Sequence, residues 1–166
     1  DMDSISPEGR ERLRQSGTRL IQHPPEKDKT DLELALDYAL GREPARITIT
    51  GALGGPRLDH TLGNLLLLTL PVLRGIETRI LDGESAAQAT WSRAEIHGQA
   101  GDYVSLLPVT DHVAGARSEG LRYPLHGESL IRGHTRGVSN ELLGVTASVE
   151  ITAGCLLIVR EGTRAG

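Results

Sequence analysis

The chain has 166 residues, of which 38% are hydrophobic, and a formal net charge of −4 at pH 7. This length allows one or two domains with a real core. The acidic balance gives no reason to expect nucleic acid as a partner, and the longest apolar runs are too short to span a membrane. The single cysteine, Cys155, excludes a disulfide within the chain and a cysteine metal site, and its apolar setting indicates a reducing, cytoplasmic compartment.

An acidic segment, Asp1-Met2-Asp3, opens the sequence. Such side chains are typical of the carboxyl end of a parallel strand, where ligands gather in open α/β sheets. No strand precedes Asp1 in this sequence, so we expect that upstream residues have been removed or are not represented. Asp1 and Asp3, two residues apart, can present both carboxylates to one cation, or they can form a solvated terminus.

The next signal is a helix start. Thr30 and Glu33 have the spacing of a capping box, and Gly41 marks the end of the apolar periodicity. Lys29 and Asp31 stand beside this predicted helix N-terminus. Asp31 can be an ordinary first-turn acid or, together with Asp1 and Asp3, a ligand of Mg²⁺, which prefers oxygen donors and is often shared with substrate phosphates.

A glycine-rich turn, Gly51–Asn64, carries the strongest local signal. It follows a predicted strand at Arg46–Thr50 and leads into a predicted helix through Leu62–Leu70. Glycines allow close approach of the backbone to an anion, and a helix start offers unpaired N–H groups. The turn also concentrates three polar side chains, those of Arg57, Asp59 and His60. His60 can alternatively serve only to bond the local backbone.

After residue 75 the helical patterns fade and short β-type runs follow, separated by glycines and polar turns. Their spacing predicts a β-sandwich or barrel. The predicted strands are Thr78–Leu81, Thr90–Ile96, Tyr103–Pro108, His112–Ala116, Ser129–Arg132, Val145–Ile151 and Cys155–Arg160. The expected fold class is therefore α/β plus all-β.

Six segments in order make the chain resemble the thiamine pyrophosphokinase (thiamine diphosphokinase) family: DMDSI, PPEKDKTDLELAL, GALGGPRLDHTLGN, GDYVSLLPV, GLRYPL and RGVSNE. The resemblance implies a partial three-layer α/β/α catalytic domain over residues 1–72 and a C-terminal β-sandwich over residues 76–166 that binds thiamine. It also implies transfer of pyrophosphate from ATP to the thiamine hydroxyl, giving thiamine diphosphate and AMP. The family works as a homodimer with active sites at the subunit interface.

Carried over position by position, the resemblance implies a set of site residues. Asp1, Asp3 and Asp31 correspond to the Mg²⁺ ligands and, with Asp59, to catalytic carboxylates. ATP is approached by Lys29, Thr30, Arg57 and His60. Thiamine is contacted by Asp59, Ser139 and Asn140. Two departures stand out: Thr135 replaces a serine before the RGVSNE segment, and leucines follow Asn140 where some members carry a tryptophan.

Three alternatives remain open from the sequence. Ser139 and Asn140 can be turn formers between strands. The chain can be a non-catalytic thiamine-binding or dimerisation fragment of such an enzyme. It can also be another nucleotide-dependent transferase that accepts a different alcohol, although the SN pair occurring together with RLDH disfavours this. Trp91, the only tryptophan, is interpreted as a core or interface residue.

Overall fold

The structure is a computed structural model that describes residues 5–24 and 26–163. The chain divides into two compact units between Glu43 and Pro44. The predicted metal ligands Asp1 and Asp3 lie outside the described residues. No helix in the described part is long and apolar enough to cross a membrane.

The first unit contains two helices, α1 at Pro7–Gln15 and α2 at Asp31–Leu40. The Thr30 hydroxyl accepts a hydrogen bond from the Glu33 backbone N–H at 3.3 Å, which confirms the predicted N-cap of α2. Gly41 follows the last helical residue, as expected for the predicted end. The cap places the residues around Thr30 at the positive end of the helix dipole.

The second unit begins with a strand–helix–strand segment: β1 at Arg46–Thr50, α3 at Leu58–Leu67, a 3₁₀ turn at Pro71–Leu73 and β2 at Glu77–Asp82. β1 and β2 pair in parallel. One face of this pair carries apolar side chains that are buried in the second unit, as expected of a strand pair covered on that side.

The predicted bounds of α3 were wrong at both ends. The helix begins at Leu58, directly after the turn, and not at Leu62. It ends at Leu67, because the next residues tighten into i→i−3 bonds, including Thr69 N–H to the Leu66 carbonyl at 2.9 Å. The apolar spacing could not show this, since a leucine run suits the α-helix and the tighter turn equally.

The remaining strands form the sandwich: β3 at Ser85–Thr90, β4 at Arg93–His97, β5 at Tyr103–Pro108, β6 at His112–Glu119, β7 at His126–Ile131, β8 at Asn140–Glu141, β9 at Thr146–Glu150 and β10 at Leu156–Glu161. One sheet has the order β1-β2-β3-β10-β5-β8 and the other β4-β9-β6-β7. Buried residues of both sheets form one apolar core, which includes Leu106, Val149 and Ile158. The predicted class, α/β plus β-sandwich, is confirmed.

The predicted strand Thr90–Ile96 begins too early: it corresponds to β4 and includes only the last residue of β3. The run Thr90–Ile96 is interrupted by a turn at Trp91 and Ser92. The Thr90 hydroxyl accepts from the Ser92 N–H at 3.2 Å and donates to the Arg93 carbonyl at 2.9 Å, so the turn is bonded from within. Thr90 therefore ends β3, and β4 begins in the opposite sheet.

The predicted domain division near residue 72 falls inside the second unit. There, β1 and β2 continue the sheet that also contains β3, β10, β5 and β8. The strands β1 and β2 and one sheet of the sandwich therefore form a single hydrogen-bonded sheet. The division into an α/β catalytic domain at 1–72 and a β-sandwich domain at 76–166 remains a prediction.

A buried ion pair holds the end of the sandwich. Asp102 accepts a 3.0 Å hydrogen bond from Arg160 and bonds from the backbone N–H groups of Gln99 at 2.9 Å and Thr163 at 3.4 Å. Burial raises the pKa of the Asp102 carboxyl, but these bonds outweigh burial and hold its pKa below the usual value. The carboxylate thus favours folding while it is ionised.

We predict that Asp102→Asn lowers the free energy of unfolding at pH 7 by about 2–4 kcal/mol, because it leaves the buried Arg160 without a counter-charge. The deficit should shrink as pH falls below about 4, where the wild-type carboxylate also takes up a proton. Urea unfolding across this pH range measures both effects. Asp111→Asn, which breaks the exposed pair with Arg132, is the control and should cost under about 0.5 kcal/mol. A deficit that is independent of pH would contradict the assignment.

Candidate active site

The glycine-rich turn leaves the carboxyl end of β1 and is fixed from two sides. Gly51 and Gly54 have φ values of 67° and 74°, in the left-handed region that favours glycine. The Asn64 amide donates to the Ala52 carbonyl at 2.8 Å, and the Asp82 carboxylate accepts from the Leu53 N–H at 3.0 Å. The turn is therefore anchored to both α3 and the end of β2.

A cavity of about 280 Å³ lies against this turn. Its lining combines the turn backbone with side chains from the start of α3, among them Arg57, His60, Thr61 and Asn64. A concave site formed by glycine-rich backbone and a helix N-terminus suits phosphate oxygens. The structure thus brings together Arg57 and His60, two of the predicted ATP-binding residues.

Arg57 and Asp59 form a two-pronged ion pair. The Arg57 Nε and Nη2 atoms donate to the two Asp59 carboxylate oxygens at 3.2 and 2.6 Å. The hydrogen bond from Arg57 lowers the pKa of Asp59, so the carboxylate is ionised at neutral pH. Both side chains are exposed, which makes the pair weak and open to exchange with a ligand. Asp59 itself is not among the residues lining the cavity.

In the first unit, the predicted site residues cluster at the start of α2. Asp31 pairs with Lys27, and this hydrogen bond lowers the pKa of the Asp31 carboxyl. Lys29 bonds Asp37 at 2.7 Å and approaches Glu33 at 3.4 Å, and the bond to Asp37 raises its pKa. Lys29 is therefore a cation and Asp31 an anion at neutral pH, both at the N-terminal end of the helix.

Of the three predicted magnesium ligands, only Asp31 lies within the described residues. Within residues 5–24 and 26–163, no three His, Cys, Asp or Glu side chains lie close enough to hold one metal ion. Asp31 is the described member of the predicted set, and its ionised, half-exposed carboxylate fits the oxygen donors that Mg²⁺ prefers. The donor chemistry fits, and the assembled ligand set remains a prediction.

Asn140 is buried and fully engaged within the sandwich. Its side-chain carbonyl accepts from the backbone N–H groups of Tyr123 and Glu141, both at 2.9 Å, and its amide donates to the Tyr123 carbonyl at 2.7 Å. These bonds tie the short strand β8 to the segment that carries the exposed Tyr123 ring. Asn140 therefore holds the backbone of Tyr123 and Glu141 in place.

Ser139 is exposed and holds a left-handed backbone, with φ at 58°. This conformation is costly for a residue other than glycine. It is imposed by the preceding segment: Gly137 packs so closely on β5 that an added Cβ would meet the Leu106 carbonyl oxygen at 2.2 Å. The Ser139 N–H also donates to the Ser105 hydroxyl at 3.3 Å. A strained, exposed serine on a fixed turn is typical of a ligand-contacting residue.

The two groups of predicted residues in the second unit lie on opposite edges of one sheet. The glycine-rich turn follows β1, and Ser139 directly precedes β8. Five strand spacings separate β1 from β8, which at about 4.8 Å each amounts to roughly 24 Å. The two groups are therefore well separated along the sheet within one chain.

Three contributors were missed from the sequence. Asn64 and Asp82 fix the glycine-rich turn, and Tyr123 is the residue that Asn140 anchors. The sequence did contain a signal for Asp82, because an acidic residue at the carboxyl end of a strand parallel to β1 lies where ligands bind in open α/β sheets. Tyr123 lies in the GLRYPL segment of the family resemblance, but its bond to Asn140 could not be predicted, because the two residues are 17 positions apart.

The single cysteine does not contribute a nucleophile. Burial raises the pKa of the Cys155 thiol to about 11, and the nearby Arg74 only partly opposes this. The thiol is therefore protonated at neutral pH, which agrees with the expectation of a buried structural cysteine.

Comparisons with known proteins agree on both halves of the chain. A family model described as "Thiamin pyrophosphokinase, catalytic domain" matches residues 1–80, and one described as "Thiamin pyrophosphokinase, vitamin B1 binding domain" matches residues 93–156. Thiamine pyrophosphokinase of Bacillus subtilis is 34% identical over 163 residues, covering 96% of this chain and 75% of that protein. Thiamine pyrophosphokinase 2 of Arabidopsis thaliana is 33% identical, and the match covers 55% of its length.

Solved structures give the same result. The crystal structure of thiamine pyrophosphokinase from Bacillus subtilis aligns with a TM-score of 0.84 at 34% identity, over 97% of this chain and 76% of that one. The structure from Geobacillus thermodenitrificans aligns with a TM-score of 0.81 at 34% identity, over 99% and 76%. By sequence, domain content and fold, the chain belongs to the thiamine pyrophosphokinase family.

Proposed function

We propose that the protein is an ATP-dependent thiamine pyrophosphokinase, which transfers the terminal pyrophosphoryl group of ATP to the hydroxyl of thiamine. The products are thiamine diphosphate and AMP. One observation carries this proposal. A chain of this family has both a cavity suited to phosphate at the glycine-rich turn and an exposed serine, Ser139, with a strained backbone on the sandwich.

The phosphate side of the site belongs to the α/β elements. Arg57 and His60 contact ATP oxygens from the cavity, and Lys29 and Thr30 approach them from the start of α2. Their positive charge and N–H groups stabilise the negative charge that moves toward the AMP leaving group. Asp1, Asp3 and Asp31 would hold Mg²⁺, which would neutralise negative charge on the phosphates when bound.

The thiamine side belongs to the sandwich. Ser139 contacts thiamine directly, and Asn140 acts with it by holding the turn and Tyr123 in place. The thiamine hydroxyl oxygen attacks the β-phosphorus, and the bond from that phosphorus to the AMP oxygen breaks. The lowered pKa of Asp59 makes its carboxylate a weak base, so we assign it to holding the thiamine hydroxyl, whose proton passes to solvent as the new oxygen–phosphorus bond forms.

The separation of the two halves supports a homodimer. β1 and β8 lie on opposite edges of the sheet, and we therefore infer that the sandwich of one subunit completes the phosphate site of the other. A two-fold dimer forms two such sites at once.

The direct test is incubation of the protein with ATP, Mg²⁺ and thiamine, followed by chromatographic measurement of nucleotides. We expect AMP and thiamine diphosphate in equal amounts, and no AMP without thiamine. ADP as the nucleotide product would indicate a different transferase. Thiamine binding without any AMP would indicate a non-catalytic fragment.

We predict that Asp31→Asn lowers turnover by on the order of 10²-fold, because it removes a preorganised charge at the phosphates. Its apparent affinity for Mg²⁺ should fall as well. Steady-state rates across a Mg²⁺ titration measure both changes. Asp28→Asn is the matched control, an exposed acid three residues away on the same segment, and should leave turnover within about twofold of wild type. Equal effects in the two variants would remove Asp31 from the metal site.

We also predict that Ser139→Gly separates stability from function. Glycine relieves the left-handed strain, so the free energy of unfolding should stay level or rise by up to about 1 kcal/mol. Loss of the hydroxyl should raise KM for thiamine by roughly 10-fold, while KM for ATP is unchanged. Glu43→Gly relieves a similar strain, at φ 51°, and should leave both KM values unchanged. An unaltered thiamine KM in Ser139→Gly would exclude a direct contact.

A further inference from the structure

The two sheets of the sandwich differ in width, and this leaves a groove. Next to β4, the edge strand of the four-stranded sheet, Arg79 of β2 and Gln88 of β3 are only partly buried, on the face that contributes Ile158 of β10 to the core. A cavity of about 700 Å³ occupies this region and adjoins a smaller one of about 160 Å³. Both are lined by Arg79, Gln88, Glu95 and His97. We call the combined space the β4 groove.

The β4 groove is separate from the glycine-rich cavity. Arg46, which lines the groove, is the first residue of β1, whereas the glycine-rich turn leaves its last residue. At about 3.3 Å per residue the two ends of β1 are roughly 13 Å apart. The two cavities have no lining residue in common. A ligand in the groove would therefore leave the proposed phosphate site free.

The groove is basic although the chain is acidic. Five arginines line it, Arg46, Arg74, Arg79, Arg93 and Arg160, against two glutamates, Glu77 and Glu95. Glu77 is shared by two of these arginines, since its carboxylate lies 2.8 Å from Arg46 and 3.8 Å from Arg79. Arg160 is paired with Asp102 at 3.0 Å, whereas Arg74 and Arg93 form no ion pair within the described residues, so the protein neutralises only part of the positive charge in the groove.

The groove also contains unsatisfied donors. Among the described residues, the buried side-chain nitrogen and oxygen atoms without a hydrogen-bond partner are Nε of Arg79 and Nε of Arg160. Both arginines line the smaller cavity of the groove. A buried donor without an acceptor is costly, so a shift of either guanidinium group that brings its Nε to an oxygen acceptor in the groove would be favourable. Guanidinium donors match phosphate oxygens best, because they can bond them in pairs.

An aromatic surface stands beside these donors. Trp91, at the turn between β3 and β4, lines the larger cavity and is half-buried. The Arg74 guanidinium lies over its ring, 5.4 Å from the centroid. The volume of the larger cavity exceeds that of a phosphate group and falls in the range of small-molecule sites. There is room for a phosphate group near Arg79 and for a planar group beside Trp91.

We propose that the β4 groove is a second anion-binding site, which takes a small phosphate-bearing molecule by way of Arg79, Arg93 and Arg160. The site goes beyond the proposed transferase function and does not depend on it. Free diphosphate and nucleotides both carry the phosphate groups that this site would bind, and the base ring of a nucleotide would also contact Trp91.

Trp91 is the only tryptophan, so its fluorescence reports on the groove alone. The protein is titrated with pyrophosphate, and separately with AMP, in EDTA at constant ionic strength. We expect a saturable change with pyrophosphate, and tighter binding of AMP if a nucleotide is the preferred source. Arg79→Gln should weaken binding by on the order of 10-fold or more, because it removes a charge-assisted donor. Arg93→Gln, on exposed β4, should act in the same direction.

Two controls locate the site. Arg132→Gln changes an exposed arginine elsewhere and should bind pyrophosphate like wild type. Arg57→Gln changes the glycine-rich cavity and should leave the Trp91 fluorescence response to pyrophosphate unchanged. Line broadening of the pyrophosphate ³¹P signal gives a second measure that does not rely on Trp91. The proposal is overturned if neither readout saturates, if Arg79→Gln and Arg93→Gln both bind like wild type, or if only Arg57→Gln loses binding.

Discussion

Backbone pairing between β1 and β2 is the constraint on which the rest of the arrangement depends. It joins the strand that ends in the glycine-rich turn to the larger sheet of the sandwich. The phosphate-type cavity is thereby fixed at one edge of a six-stranded sheet, while Ser139 and Asn140 stand at the other. A sheet is stiff along its hydrogen-bond direction, so side-chain motion cannot close a gap of roughly 24 Å. This separation is the basis for the proposal that each chain carries two half-sites, which a second chain completes.

Each half-site is built from a backbone that is held rigid so that exposed groups can face a ligand. At the phosphate side, Asn64 and Asp82 bond the glycine-rich turn. At the thiamine side, a buried amide from Asn140 and the close packing of Gly137 hold the turn that strains Ser139. In both cases the supporting residues are buried or partly buried and the contacting residues are exposed. Such support lowers the cost of ordering the site when a ligand binds.

Local sequence patterns predicted much of this structure. The Thr30 cap and the strand Tyr103–Pro108 agree with it, because side-chain capping and a short β-type run bounded by turn residues are encoded by near neighbours. The strand β3 was missed, since Ser85–Thr90 is rich in alanine and is made a strand by pairing with β2 and β10. The burial of Asn140 and the arginine-lined β4 groove could not be predicted from the sequence either. Both arise where residues far apart in the chain meet, which no local pattern records.

The central claim, a site shared between two chains, is tested most directly by subunit mixing. Asp31→Asn disables the phosphate side, and Ser139→Asn fills the thiamine side with a residue that tolerates the left-handed backbone. Each protein alone should turn over poorly at low thiamine. After subunit exchange, verified with two affinity tags, a shared site predicts recovery to about a quarter of wild-type activity, since half of the dimers are mixed and each has one intact site. Exchange without any gain in activity would contradict the account and place both halves of the site within one chain.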